Sequence, residues 1–104
     1  MATARIDAGI CGFTTTVRTH GEGRVMRIEI ESECDHVAKL AEALTEVDPF
    51  AEISFRGDGP VTLELARRHC AHAACPVPTG ILKAIEVEAG LALPRDATST
   101  VTKE

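Results

Sequence analysis

The hydrophobic period of this chain changes once, and sharply, near residue 33. Across residues 25–31 apolar and charged side chains alternate, with Met26, Ile28 and Ile30 on one side and Arg27, Glu29 and Glu31 on the other. From about residue 35 to residue 46 the spacing lengthens, and Val37, Leu40, Ala41, Leu44 and then Val47 recur three and four apart. A period of two describes a half-buried strand and a period near 3.6 an amphipathic helix, so strand must yield to helix within a few residues. Asp35 or Ser32 is placed to cap that helix, and Asp48-Pro49 to end it.

The segment upstream has the strand period as well. Phe13, Thr15 and Val17 share one face, Thr14, Thr16 and Arg18 the other, and His20-Gly21-Glu22-Gly23 supplies a turn. Two alternating runs about such a turn predict a β-hairpin with one solvated face. Before it, residues 6–12 are small and apolar and close on Cys11-Gly12. Downstream, residues 50–55 predict a short third strand with Ile53 and Phe55 facing inward, followed by a turn over residues 57–60. Pro60 suits the first turn of a second helix, from Val61 to about His72, with Val61, Leu65, Ala66, His69 and Cys70 near one face. Cys75-Pro76-Val77-Pro78 interrupts the helical pattern, because proline removes a donor and disfavours the α region before it. A third helix starts at Thr79 with an apolar stripe of Ile81, Leu82, Ile85 and Ala89, and Gly90 stops it. Residues 98–102 have strand propensity, for an edge strand or a frayed end. Strands first and helices after predict one α+β domain over residues 1–104: a small antiparallel sheet with about three helices on one face.

Composition narrows the function. Eleven Lys and Arg against sixteen Asp and Glu give a formal charge of −5, which disfavours nucleic acid and anionic membrane surfaces as partners. No apolar run is long enough to span a bilayer, and the first ten residues lack the pattern of a secretory signal, so the expected location is cytoplasmic. Three Phe with no Tyr or Trp leave aliphatic residues to fill the core. Four Cys and four His remain, and in a reducing compartment such cysteines point to metal or redox chemistry rather than to structural disulfides.

The densest cluster is His69-Cys70-Ala71-His72-Ala73-Ala74-Cys75, four soft donors within seven residues. His69, His72 and Cys75 are three apart, and the prolines that follow restrain Cys75. Imidazole and thiolate select zinc and iron–sulfur centres over magnesium or calcium. Cys11 stands beside a glycine with another two residues back, where the backbone can approach a neighbouring atom closely. Cys34 falls at the strand-to-helix junction, where helix-terminal amides favour a thiolate. Against these stands the plain alternative that the cysteines are small core residues. His36 and His20 are expected on solvated surfaces. The glycine-containing turns lack the lysine of a phosphate-binding loop.

A Cys-Gly opening a hairpin (Cys11-Gly12), a second Cys before a helix (Cys34) and a His-Cys pair (His69-Cys70) ahead of the apolar helix around residues 80–85 together resemble the U-type iron–sulfur cluster scaffold family. The strand over residues 25–30 fits the same pattern, and the likeness spans roughly residues 10–86. The chain departs from the family's pattern at Phe13, where the family carries an acidic residue, and Cys75 and His72 have no counterpart in it. The resemblance implies a site in which Cys11, Cys34 and Cys70, with a His, assemble a cluster that passes to acceptor proteins, or hold zinc instead. The expectation is thus a small metal- or cluster-binding domain, more a binding protein than an enzyme. Its ligands come from Cys11, Cys34, His69, Cys70, His72 and Cys75, its cofactor is an iron–sulfur cluster or Zn2+, and its partners are cluster donors or acceptors. The competing expectations are a metal-free thiol redox or nucleophilic-cysteine protein, and an interaction domain whose cysteines are buried for packing. The ligand reading requires Cys11, Cys34 and Cys70 to converge.

Overall fold

The computed structural model describes residues 1–104. Its elements in chain order are β1 (Ala2–Asp7), β2 (Thr14–Glu22), β3 (Val25–Ser32), α1 (Asp35–Ala43), β4 (Glu46–Val47), a 3-10 turn (Pro49–Ala51), α2 (Val61–His69) and α3 (Val77–Glu88). The four strands form one antiparallel sheet in sequence order. α3 covers β1 and β2, α1 covers β3, and α2 lies against both helices. This is the two-layer α+β arrangement that the pattern of periods predicts.

The hairpin of β2 and β3 turns through Gly23 and Arg24, since Glu22 pairs with Val25. Gly23 has φ +63° and Arg24 has none of the positive φ a type I′ turn would demand at both positions. Glycine first in a two-residue loop is the requirement of the type II′ hairpin, whose twist matches its strands. Thr15, Val17 and Thr19 of β2 face the helices with Met26 and Ile28 of β3 and Ile6 of β1. They meet Val37, Leu40 and Leu44 of α1 and Val77, Ile81, Ala84 and Ile85 of α3 in one core. The two buried threonines of β2 are satisfied: Thr15 donates to Ser32 Oγ at 2.8 Å and Thr19 to the Ala84 carbonyl at 3.0 Å. The outer face carries charge, with Arg18 paired to Glu31 and Arg27 to Glu22.

Several expectations are corrected. β1, which was not among the expected strands, supplies the fourth strand of the sheet. The third strand expected over residues 50–55 does not form, and Ile53 and Phe55 are exposed. The sheet edge is taken by β4, which pairs with Met26 and Arg27 directly after α1. Asp48 then accepts the Phe50 N–H, and Pro49 opens a 3-10 turn that carries the chain off the sheet. Phe13 lies at the surface rather than inward, so none of the three phenylalanines is in the core. α1 stops at Ala43 and α2 at His69, each short of its expected end, while α3 begins two residues early, at Val77. Pro78 is tolerated there because first-turn amides have no partner within the helix. The terminal residues 98–102 form no strand.

The start of α2 is held from a distance. Glu52, almost fully buried, accepts the N–H groups of Val61 and Thr62, each at 2.8 Å, and the Thr62 hydroxyl at 2.6 Å. It does the work of an N-cap that Pro60 cannot do. α3 ends at a Schellman motif: Gly90 at φ +77° lets its N–H reach the Val87 carbonyl and the Leu91 N–H reach that of Glu86.

Two contacts fix α3 on the sheet. At Gly80 the helix passes so close to β1 that any Cβ would collide with the Ile6 side chain. At its far end Glu88 accepts the Gly21 N–H at 3.0 Å and faces the N-terminal ammonium at 3.1 Å. Those two partners, the amide first, hold the Glu88 carboxyl below the usual carboxylate range. No helix is long and apolar enough to cross a membrane.

Gly80→Ala is expected to destabilise by about 1–3 kcal/mol, the cost of overpacking exceeding the helix-propensity gain of roughly 1 kcal/mol. Chemical denaturation should show that cost shrinking when Ile6→Val is added. Glu88 stabilises the fold above the carboxylate range, and that contribution is lost as pH falls through its lowered folded pKa. Melting temperatures of Glu88→Gln should therefore lie below wild type at neutral pH and converge with it in acid.

Candidate thiol site

The sheet register assigns the two ends of the molecule. β1 pairs with β2 from Ala2↔Thr19 to Asp7↔Thr14, and β2 with β3 from Thr15↔Ser32 to Glu22↔Val25. The loop of residues 8–13 and the end of β3 therefore share one end of the sheet, and Ala2 and Gly21 the other. Because Glu88 binds Gly21 while Gly80 sits on Ile6, α3 runs with its first turn toward the loop end. That end receives Cys11 from the β1–β2 loop, Cys34 from the β3–α1 junction, and Cys75 from just before α3.

Each half-buried cysteine stands where an element starts or stops. Cys34 is the N-cap of α1; its thiol caps nothing, its N–H donates to Ser32 Oγ at 3.2 Å, and its carbonyl accepts the Ala38 N–H. Cys70 is the C-cap of α2, where ψ swings to 136° and ends the helix. The positive charge of Arg67 and Arg68 in its last turn suits the helix C-terminus. Cys75 closes a tight turn by donating its N–H to the His72 carbonyl at 3.2 Å. All three pack against the core, and every cysteine is a free thiol.

Burial pushes the Cys70 thiol above the ordinary cysteine range, and the nearby Cys75 and Cys34 act in the same direction. Of the residues expected to converge, Cys34 is among the groups that act on Cys70, as is Cys75. Cys11 is exposed on its loop, between Gly9 at φ +82° and Gly12 at φ +76°. His69 ends α2 half-buried and His72 is exposed; neither they nor Cys11 are among the groups acting on Cys70. No group of three His, Cys, Asp or Glu side chains is placed to hold a metal ion.

Chemically, three adjacent half-buried thiols can bind a soft metal centre or form a disulfide. A surface concavity on the open sheet face, among Arg5, Thr16, Arg18 and Glu31, has no hydrophobic lining residue, unlike a small-molecule cleft.

Exposure and thiolate fraction set alkylation rates. In reduced, chelator-treated protein at pH 8, iodoacetamide should modify Cys11 first and Cys70 last, at least about tenfold apart. Peptide mass spectrometry over time reads this directly, and equal rates would contradict the burial of Cys70.

No curated protein and no solved structure is significantly similar to the chain. One family does match, over residues 2–101, and it is described as a family of unknown function. With all four strands, three helices and four cysteines inside the matched span, the chain belongs to the family of unknown function DUF6951.

Proposed function

We propose that this chain binds a thiophilic metal centre, a zinc ion or an iron–sulfur cluster, through Cys34, Cys70 and Cys75. The observation that carries the reading is that three half-buried free thiols, at the start of α1, the end of α2 and just before α3, pack against one core, with Cys34 and Cys75 near enough to act on Cys70. A purely structural role explains such a cluster poorly, because apolar side chains would fill the same space without placing ionisable groups side by side. A cation inverts that balance: thiolates that repel one another are each stabilised by the shared charge.

The donor set suits soft metals and excludes the hard cations, which require oxygen ligands. Loading releases the thiol protons and draws the three sulfurs inward. Cys70 and Cys75 lie outside the helices, in a segment whose backbone can adjust without breaking either one. Three thiolates leave a fourth position for Cys11, His69 or His72. Zinc at the site would cross-link all three helices. A cluster with an exchangeable fourth ligand would supply iron and sulfide to an acceptor protein, as the resemblance to U-type scaffolds implies. A reducing cytoplasm would keep the thiols available. A nucleophilic cysteine without metal is less favoured, since burial keeps the Cys70 thiol in its neutral, unreactive form.

The test is anaerobic purification followed by metal and sulfide analysis and visible spectroscopy. Wild type should hold stoichiometric zinc and be colourless, or hold iron and sulfide with charge-transfer bands. Cys75→Ser and Cys70→Ala should lose the metal while keeping the wild-type circular dichroism, and Cys11→Ala should weaken retention less. Wild type that stays metal-free after reconstitution with zinc and with iron and sulfide overturns the proposal.

A further inference from the structure

The two edges of the sheet are built differently. At one, β4 is only two residues long and the chain leaves it at once through Asp48-Pro49, which blunts that edge. At the other, β1 pairs with β2 residue for residue from Ala2 to Asp7, with no bulge and no proline. Ala8 continues the register and donates its N–H to the Phe13 carbonyl at 3.1 Å. Antiparallel strands alternate such hydrogen-bonded pairs with unbonded ones. Ala4 and Ile6 therefore bond to β2, while Thr3, Arg5 and Asp7 turn their N–H and C=O groups outward. No hydrogen bond from the rest of the chain reaches those outward groups. The side chains of Thr3, Arg5 and Asp7 share the open face of the sheet and are exposed, and neither Arg5 nor Asp7 is in an ion pair.

We propose that β1 pairs antiparallel with β1 of a second copy of this chain, about a two-fold axis at Ile6, joining the two sheets into one. Charge selects both the partner and the register. Registers centred on Ala4, Arg5 or Ile6 all set outward main-chain groups opposite one another. Centring on Arg5 opposes two guanidinium groups, and centring on Ala4 sets Arg5 against Thr3. Of these, only the Ile6 register sets Arg5 against Asp7 of the second copy, and the symmetry makes that pair twice. Each such pair exchanges both of its main-chain hydrogen bonds. A lone charge on an edge opposes pairing, but opposite charges two residues apart on one face are self-complementary. On the helix face, Ile6 meets Ile6 of the second copy in a closer, unbonded pair at the axis, where Gly80 brings α3 down onto the strand.

A contact along one strand edge is narrow, so the dimer belongs to the weak, reversible class. Main-chain hydrogen bonds supply its affinity, while the exposed ion pairs contribute little energy of their own and fix the register. Residues 98–102 of this chain are the competing occupant, since they have strand propensity and form no strand. They carry no charged side chain to meet Arg5 and Asp7. The dimer does not depend on metal binding.

Sedimentation equilibrium of the reduced, chelator-treated full-length chain, from about 10 μM to about 1 mM, reads the association. Wild type should approach a dimer at the upper end. Arg5→Glu and Asp7→Lys should each weaken the dimer at least about tenfold, because like charges then stand opposite one another. An equimolar mixture of the two variants should recover a dimer with one copy of each, since their edges are complementary in charge. Arg5→Glu should keep the wild-type circular dichroism. Amide exchange followed by NMR tests the register in wild type itself. With rising concentration the Arg5 and Asp7 amides should slow more than that of Thr3. A wild type that stays monomeric to about 1 mM overturns the proposal, as does a dimer whose Arg5 and Asp7 amides exchange no more slowly than in the monomer. A dimer indifferent to Arg5→Glu but lost in Thr100→Pro would place the C-terminal segment on this edge, and would overturn it too.

Discussion

α3 lies close against β1 because residue 80 has no side chain, and most of the architecture follows from that approach. The absent Cβ at Gly80 is replaced by the Ile6 side chain, which joins Val77, Ile81, Ala84 and Ile85 in the core. Dispersion contacts fall away quickly when packed surfaces separate, so a helix pushed outward would loosen its whole buried stripe. The polar tie of Thr19 to the Ala84 carbonyl and of Glu88 to Gly21 work only at this separation. Together they set the direction of α3 as well as its height above the sheet.

Direction is what makes the thiol site. With its C-terminal end fixed at Gly21, α3 must begin at the opposite end of the sheet, where β3 hands over to α1. Cys75, just ahead of α3, is thereby delivered to the same region as Cys34. α2 completes the cluster from the side. Its first turn is anchored by the buried Glu52 carboxylate, and Cys70 is its extended C-cap, packed against the core. The three cysteines thus sit at positions whose backbone is determined by the packing of the elements on either side.

A site mounted on element ends combines rigidity with some freedom. Cys34 is tied into a helix start by its own carbonyl and by Ser32, whereas Cys70 and Cys75 border a short segment between helices. That division suits a centre that must close around a ligand and open again, one donor being fixed and two able to shift. Cys11 differs: the glycines on either side of it adopt positive φ in a solvent-facing loop, an arrangement that leaves its thiol accessible without committing it.

How much of this is legible in the chain depends on whether a feature is local. The alternation of Met26, Ile28 and Ile30, the helical stripe of Val37, Leu40 and Leu44, and the stripe of Ile81 and Ile85 are properties of contiguous residues. They determined the hairpin, the helices, the buried faces and the α+β class from sequence alone, because backbone periodicity couples directly to burial. The alternation of Ala4 and Ile6 with Arg5 and Asp7 also marks β1, but it is short and carries few large apolar residues. The same short-pattern problem misplaces residues 50–55: Ile53 and Phe55 alternate as a strand would, yet β4 already holds the edge beside β3. Tertiary structure alone decided which cysteines pack on the shared core. Cys34 is far along the chain from Cys70 and Cys75, and their placement depends on the direction in which α3 crosses the sheet. That direction rests on a missing Cβ and on hydrogen bonds between distant residues, and no local period encodes either.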